Sequence, residues 1–447
     1  MRQFLYLSPY FAPQTQVGAL RPIKFARQLP ALGWQPIVLA DLWPTDGMDA
    51  QLETFVPPEV KVVYDFSRRA PKAYQALHHP GKKPAGKAVR ANPADAPARV
   101  AKGTPLHERL IPKSLQNPEL MPLAEHGPDM PHAYDAAMKV LSEYPDIEAI
   151  VVNADPFAAA VVGAWLQQRT GLPLIQDFRD IWAPCKLRRP RRPLPQRWLE
   201  DKLERFCFER AAHILVNTQV SLDDYLAFYP DLPRERFSLL RNFFDADLVS
   251  HGSHPGWDRF TLLHLGNFSR FRLADPLVKA LARAVELGLP RDAVQVVSTG
   301  DYGDGARQLA ARLGIADLLK TEEPLAYHQT GAICQAADVL VYVAEPDADQ
   351  RIASKFYDYL GAHRPVLAIS DNPESQRLID HVSAGAQFGH RDTEAMAQWL
   401  LQTFAKGRHQ VIQRSLQGLS SLEASRRLVE VLESVTACRS RQDQLNP

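Results

Sequence analysis

Short apolar runs alternate with helical patterns twice along this chain, with one polar stretch between the two series, and this constrains the fold more than any other feature. FLYLS (4–8) has the length and character of a strand, and Gly18 opens a helix whose apolar positions Ile23, Phe25, Ala26 and Leu29 are helically spaced. That helix ends near Gly33, and PIVLA (36–40) is the next strand. The same alternation resumes with a helix over Ala133–Tyr144 and the strand EAIVVN (148–153). It continues through a helix over Ala158–Arg169, PLIQDF (173–178), a helix over Trp198–Ala211, HILVN (213–217), a helix over Ser221–Tyr229 and FSLLRN (237–242). HGSHPGWD (251–258) is polar, carries Gly and Pro, and reads as a linker. Beyond it FTLLHLG (260–266), DPLVKALARAVELG (275–288), AVQVVSTG (293–300), ADVLVYV (337–343), a helix over Ile352–Ala362 and RPVLAIS (364–370) repeat the alternation. Two further helices, about 392–404 and 409–436, close the chain. Strand–helix–strand alternation gives the α/β class, with parallel sheets covered by helices on both faces. The expected organisation is a Rossmann-like domain over 1–250 and a second over 251–415. The helical tail over 416–447 is expected to pack back on the first domain. Such halves bind ligands where the carboxyl ends of strands lead into helix N-termini, so two facing halves share a cleft there.

One segment breaks the pattern. From about Phe66 to Pro131 the sequence is rich in Pro, Ala and Lys, and between Arg68 and Lys113 it has 11 Lys or Arg against two acids, Asp95 and Glu108. It reads as a basic insertion, poorly ordered in its middle. The whole chain is nearly neutral, with a formal charge of +1, so nothing in its overall balance draws it to nucleic acid. Cys185, Cys207, Cys334 and Cys438 form neither a CxxC motif nor a disulfide framework, which suits a reducing compartment. The opening MRQFLYLSPYFAP reads as a first strand and not a signal peptide, and no run of 18 apolar residues occurs. The expected location is cytoplasmic.

Four constellations follow strands, where the chemistry belongs. In SPYFAPQTQVGALRP (8–22), Gly18 at a helix start lets backbone approach a phosphate, and Arg21 lies one turn in. QDFRDIW (176–182) crowds Asp177, Arg179 and Asp180 at a strand end. Such groups serve either as a structural Arg–Asp bridge or as cleft carboxylates that contact a sugar or accept a proton. In LHLGNFSRFR (263–272), Gly266 and Asn267 precede Arg270 and Arg272, whose forked donors suit a diphosphate. In DQRIASKFYDYLGAHRPVLA (349–368), Ser354, Lys355 and Asp358 lie in the first turns of a helix. Lys355 and Asp358 are three apart and share a face, either as an ion pair or as separate contacts to phosphate and a ribose diol.

Taken in order, SPYFAP…GALRPIKFARQLPALGW, NADPFAAAVVGAWLQQRTGLPLIQDFRDIW, LLHLGNFSRFR and ASKFYDYLGAHRPVL resemble the GT-B glycosyltransferases of the family-4 type, the glycosyltransferase group 1 proteins. The resemblance covers nearly the whole chain except about 66–131. It implies a GT-B architecture, two facing Rossmann-like domains with a central cleft. It also implies transfer of a sugar, with retention, from a nucleotide diphosphate sugar to a hydroxyl acceptor. Gly18 falls on the family's phosphate-contacting loop, Arg272 and Lys355 on its two diphosphate-binding bases, and Asp358 on the second glutamate of its E-x7-E motif, which holds the ribose. The first glutamate of that motif is Gln350 here, and the family's His-Asp pair reads Gln176-Asp177. A glutamine hydrogen-bonds hydroxyls but neither carries charge nor acts as a base. The donor end is therefore better matched than the catalytic end, where Asp177, Arg179, Asp180 and Gln350 are the candidates. The resemblance further implies a uridine or guanosine diphosphate donor, no cofactor and no metal. It places the protein in bacterial surface polysaccharide or glycoconjugate synthesis, with a lipid-linked or glycan acceptor. The basic insertion and KLRRPRR (186–192) are then expected to dock on an anionic membrane surface. Two rival readings share the fold: a sugar-nucleotide epimerase, and a scaffold protein with weakened catalysis.

Overall fold

The computed structural model describes residues 1–42, 47–70, 123, 126–249, 254, 256–268, 272–346 and 350–445. Two all-parallel sheets organise them. The first has the order β3-β2-β1-β4-β5-β6-β7. Its strands are β1 (Arg2–Leu7), β2 (Trp34–Ala40), β3 (Lys61–Tyr64), β4 (Ile147–Asn153), β5 (Leu174–Phe178), β6 (His213–Val216) and β7 (Phe237–Leu239). The second has the order β10-β9-β8-β11-β12-β13. It comprises β8 (Phe260–His264), β9 (Val294–Ser298), β10 (Leu319–Thr321), β11 (Val339–Val343), β12 (Val366–Ile369) and β13 (Gly385–Phe388).

The helices of eight residues or more in the first half are α1 (Val17–Gln28), α2 (Met130–Glu143), α3 (Phe157–Thr170), α4 (Leu194–Arg210) and α5 (Gln219–Phe228). Those that follow are α6 (Asp275–Glu286), α7 (Asp304–Arg312), α8 (Ser354–Gly361), α9 (Pro373–His381), α10 (Thr393–Ala405) and α11 (Ser421–Leu445). No helix among the described residues is long and apolar enough to cross a membrane.

The central strands read as unbroken apolar runs because both faces of each sheet are covered. Successive side chains point to opposite faces. Leu5, Leu7, Ile37, Leu39, Ile150 and Val152 pack on one side, with Ala137 and Val140 of α2 and Val161 and Leu166 of α3. Phe4, Tyr6, Val38, Ala149 and Val151 pack on the other, with Ile23 and Phe25 of α1. Ala424, Leu428, Leu432 and Val435, a helical stripe on α11, join that second cluster. The last helix of the chain thus closes the core of the first sheet, and Arg2 donates to Thr436 at 2.6 Å. The chain returns to it beside the linker, where Phe244 and Ser420 form a bridge.

Some expectations shift. The last helix begins at Ser421 and not near 409, and α4 begins at Leu194, four residues before Trp198. Strands β3, β10 and β13 and helices α7 and α9 were not foreseen; the three strands are short sheet edges, half-exposed or exposed, that lack a continuous apolar run. The middle of the basic insertion, 71–122, lies outside the described residues.

Candidate functional site

The carboxyl ends of the two sheets meet around a cavity of about 270 Å³. From the first half it is lined by Val17 and Arg21 of α1, Arg179 and Asp180 after β5, Asn217 after β6 and Asn242 after β7. From the second half come Arg272, Tyr342, Ala344, Glu345 and the run Arg351–Lys355, which leads into α8.

The second-half wall is a cationic helix start. Ala353 is extended (ψ 147°) and Ser354 begins α8, with no side-chain cap on its leading N–H groups. Uncapped N–H groups and the helix dipole favour an anion there. Lys355 Nζ donates to the Leu265 carbonyl at 2.6 Å and lies 3.4 Å from His264 Nε2. Burial, then the charge of Arg272, pushes the Lys355 ammonium down to about 7. His264 is fully buried and its Nδ1 lies 2.9 Å from the Val341 carbonyl, so Nδ1 carries the proton and Nε2 faces Lys355 with its lone pair. Burial first, and Lys355 second, hold this imidazole well below its ordinary value, so it stays neutral. Both hydrogen-bond partners of Lys355 are therefore uncharged. Arg272 sits 3.6 Å from Glu345, which also takes Arg351 at 2.6 Å.

Gly266 shapes this wall from behind. Its φ of +88° is the left-handed region that favours glycine, and its N–H donates to Thr299 Oγ1 at 2.9 Å. Asn267 is turned away from the cavity: its Oδ1 accepts from the Asp301 N–H at 2.8 Å and braces the neighbouring loop. Arg270 lies outside the described residues.

On the first-half wall, Asp180 and Arg179 line the cavity as expected from their place after β5. Burial raises the Asp180 carboxyl, but Arg179, Arg351, Arg188 and Arg272 outweigh it and hold the group below its ordinary value. Arg179 pairs with Asp155 and passes 3.9 Å from Asp180. Gly18 permits this placement, since a Cβ there would stand 2.5 Å from the Tyr10 ring and 3.1 Å from Arg179 Nη1. Gly18 does not itself line the cavity.

Four expected site residues have other employment. Arg21 and Asp177, expected to act on donor and acceptor separately, form one buried two-pronged pair (2.7 and 2.9 Å). The rest of the Arg21 guanidinium donates to the carbonyls of Leu240 and Arg241. Arg21 touches the cavity but is already matched, and Asp177 does not reach it. Asp358, expected at the ribose, gives one oxygen to Lys24 of α1 at 3.2 Å and the other to the Tyr327 hydroxyl at 2.9 Å. Lys355 and Asp358 therefore do not pair, although they share a face. Gln350, expected at the sugar, reaches across to the first half instead. Its Oε1 accepts from the Lys186 N–H at 2.8 Å, and its Nε2 donates to the Pro184 carbonyl (3.1 Å) and to Asp224 (2.6 Å). Its backbone carbonyl accepts from Thr218 and Ser221. An amide both donates and accepts, which this mixed set of partners requires and a carboxylate would not supply. Gln176 is buried against α3, donating to the Ala160 carbonyl.

The sequence reading missed Val17, Asn217, Asn242, Tyr342, Glu345 and Arg351 in the lining. Asn217 and Asn242 end the strand patterns HILVN and FSLLRN, the same post-strand signal that found Asp180. Apart from the cavity, Asp41, His126 and Asp129 bring their ligand atoms within 4.8 Å of one another, the one such group among the described residues.

Residues 24–242 match the family described as the glycosyl transferase 4-like domain. No curated protein matches the chain. Among solved structures, it is similar to sucrose-phosphate synthase from Thermosynechococcus elongatus, at 14% identity and a TM-score of 0.59, over 100% of this chain and 99% of that one. It is similar to a glycosyltransferase from Rickettsia africae at 10% identity and a TM-score of 0.60, over 97% and 98% of the two chains. A putative UDP-N-acetylglucosamine 2-epimerase from Listeria monocytogenes is similar at 14% identity and a TM-score of 0.53, over 97% and 96%. The chain therefore has the GT-B fold, and residues 24–242 of its first half match the glycosyl transferase 4-like domain.

Proposed function

We propose that this protein transfers a sugar from a nucleoside diphosphate sugar, with uridine the favoured base, to a hydroxyl of a glycan or glycoconjugate, with retention and without a metal. The observation that carries the reading is Lys355: a partly buried cation at a helix start in the cleft, bonded only to neutral acceptors. A cation so placed is matched when a ligand anion arrives. The donor diphosphate occupies the start of α8, between Lys355 and Arg272. As the bond from the anomeric carbon to the phosphate oxygen breaks, these cations and the helix N–H groups neutralise the departing diphosphate. Asp180, held ionised on the facing wall, stabilises the oxocarbenium-like carbon. The acceptor oxygen bonds to that carbon from the leaving-group side, and its proton passes to the departing phosphate oxygen.

The similarity to an epimerase keeps a second reading in view, since both enzyme classes hold the same donor. Incubating UDP-sugars with and without hydroxyl acceptors, and following products by NMR, separates them. Acceptor-dependent release of UDP with the anomeric configuration kept supports transfer. Inversion at a ring carbon with donor alone supports the epimerase and sinks the transferase reading; neither change with any donor supports a scaffold.

A further inference from the structure

α4 carries an apolar stripe that faces solvent. Leu194, Trp198 and Leu199 are 75%, 63% and 44% exposed. With Pro195 and Lys202, both exposed, they occupy positions i, i+1, i+4, i+5 and i+8, one face of the helix. The opposite face is the buried one, with Glu200, Glu204, Cys207 and Phe208. The other large apolar side chains left exposed among the described residues, such as Leu313 and Val411, are scattered singly along the chain. Single exposed apolar residues are ordinary, whereas three large ones on one helical face mark an interaction surface.

The surroundings of the stripe are cationic. Between Lys186 and Lys202 the chain has seven Lys or Arg and two acids, Glu200 and Asp201. Neither acid faces out unmatched: Glu200 is buried against Arg192, and Asp201 holds Arg189 in a two-pronged pair. Exposed Arg191 precedes the stripe and exposed Lys202 ends it. Arg197 donates to the backbone carbonyls of Arg192 and Pro190, which keeps its positive charge at the rim.

We propose that this face of α4 seats in the interface of an anionic bilayer, with Leu194, Trp198 and Leu199 in the headgroup–acyl boundary and Arg191, Arg197 and Lys202 on the lipid phosphates. An apolar face bearing Trp and Leu, rimmed by Arg and Lys, is the physical signature of a helix that lies in the membrane plane. Each rim cation adds attraction to an anionic surface. The stripe spans only the first turns of α4, so the contact is shallow and peripheral. The chain segment from β5 to α4 also supplies Arg179 and Asp180 to the cavity and the Lys186 N–H to Gln350.

The test is flotation of the full chain with vesicles of phosphatidylcholine alone or with added phosphatidylglycerol, with no nucleotide present. The wild type binds the anionic vesicles, and salt weakens the binding. The variant Leu194→Ser/Trp198→Ser/Leu199→Ser binds at least about ten-fold more weakly. Arg191→Gln/Lys202→Gln loses about five-fold for each charge. All these positions are solvent-facing, and an unchanged circular dichroism melt establishes that each variant is folded. Equal binding to both vesicle types, or full binding by the triple variant, overturns the proposal. So does a wild-type dimer by light scattering that becomes monomeric in the triple variant while vesicle binding stays unchanged, which assigns the stripe to self-association. The readout needs no turnover, so failure here leaves the transferase reading standing.

Discussion

At the scale of single residues, the proposed diphosphate site turns on Lys355. Its ammonium titrates near 7 in the empty site, so part of its charge is lost as pH rises through that value. A bound diphosphate favours the charged form and draws a proton back. The expected outcome is that affinity for a nucleoside diphosphate sugar, which does not itself titrate there, falls as pH rises through about 7. Lys355→Met should bind weakly at every pH with no such slope, and calorimetry in buffers of different ionisation enthalpy checks both. Gln350 is the contrasting case. Gln350→Ala strips three side-chain hydrogen bonds from the contact between the halves. It should cost about 1–3 kcal/mol in chemical denaturation. Because Gln350 does not line the cavity, the variant should keep its nucleotide-induced thermal shift. The sequence made Lys355, Arg272, Arg179 and Asp180 legible because each lies just beyond a strand or at a helix start. It hid the employment of Arg21, Asp358 and Gln350 because their partners are far along the chain: Asp177 is 156 residues from Arg21, and Lys24 is 334 from Asp358.

At the scale of elements, the loop from β5 to α4 is the part most in need of support, since it carries one wall of the site and the contacts to Gln350. Its brace is Glu204, buried on α4, which accepts from the Ala183 N–H (3.1 Å), the Tyr225 hydroxyl (2.9 Å) and the Tyr229 hydroxyl (2.8 Å). Burial pushes this carboxyl up to about 8 despite those three donors. A raised carboxyl binds its proton in the fold and releases it in the unfolded chain. Its stabilising contribution is therefore complete below pH 4.5 and is lost as pH rises through about 8. Glu204→Gln should flatten that slope, as read by melting temperature against pH. At the other wall element, Gly18→Ala forces a methyl group against Tyr10 and Arg179 at the start of α1. It should cost roughly 1–3 kcal/mol. Helix periodicity and strand length revealed nearly all central elements, because buried strands such as EAIVVN must be apolar throughout. The edges β3, β10 and β13 escaped because short strands open to solvent, such as KVVY, LKT and GAQF, lack that signal.

At the scale of the whole molecule, two sheets with largely separate cores are joined by a set of polar contacts. Lys24–Asp358, Arg241–Glu374 and the Gln350 set cross between the halves, and Glu374 also accepts from the Gln219 N–H at 2.6 Å. Buried polar contacts of this kind fix one relative placement and are costly to leave half-made. α11 then belongs energetically to the first half, although it follows the second in sequence. Ending the chain at 420 would remove Ala424, Leu428, Leu432 and Val435 from the first-half core and should lower the melting temperature sharply. On the proposed function, the cleft holds a nucleoside diphosphate through the start of α8. The most direct measurement is a thermal-shift panel of nucleoside diphosphates on the wild type and on Lys355→Ala/Arg272→Ala. Diphosphate binding there requires a rise in melting temperature with UDP that the double variant loses while still folding. No rise with any nucleoside diphosphate, or an equal rise in the double variant, would contradict it.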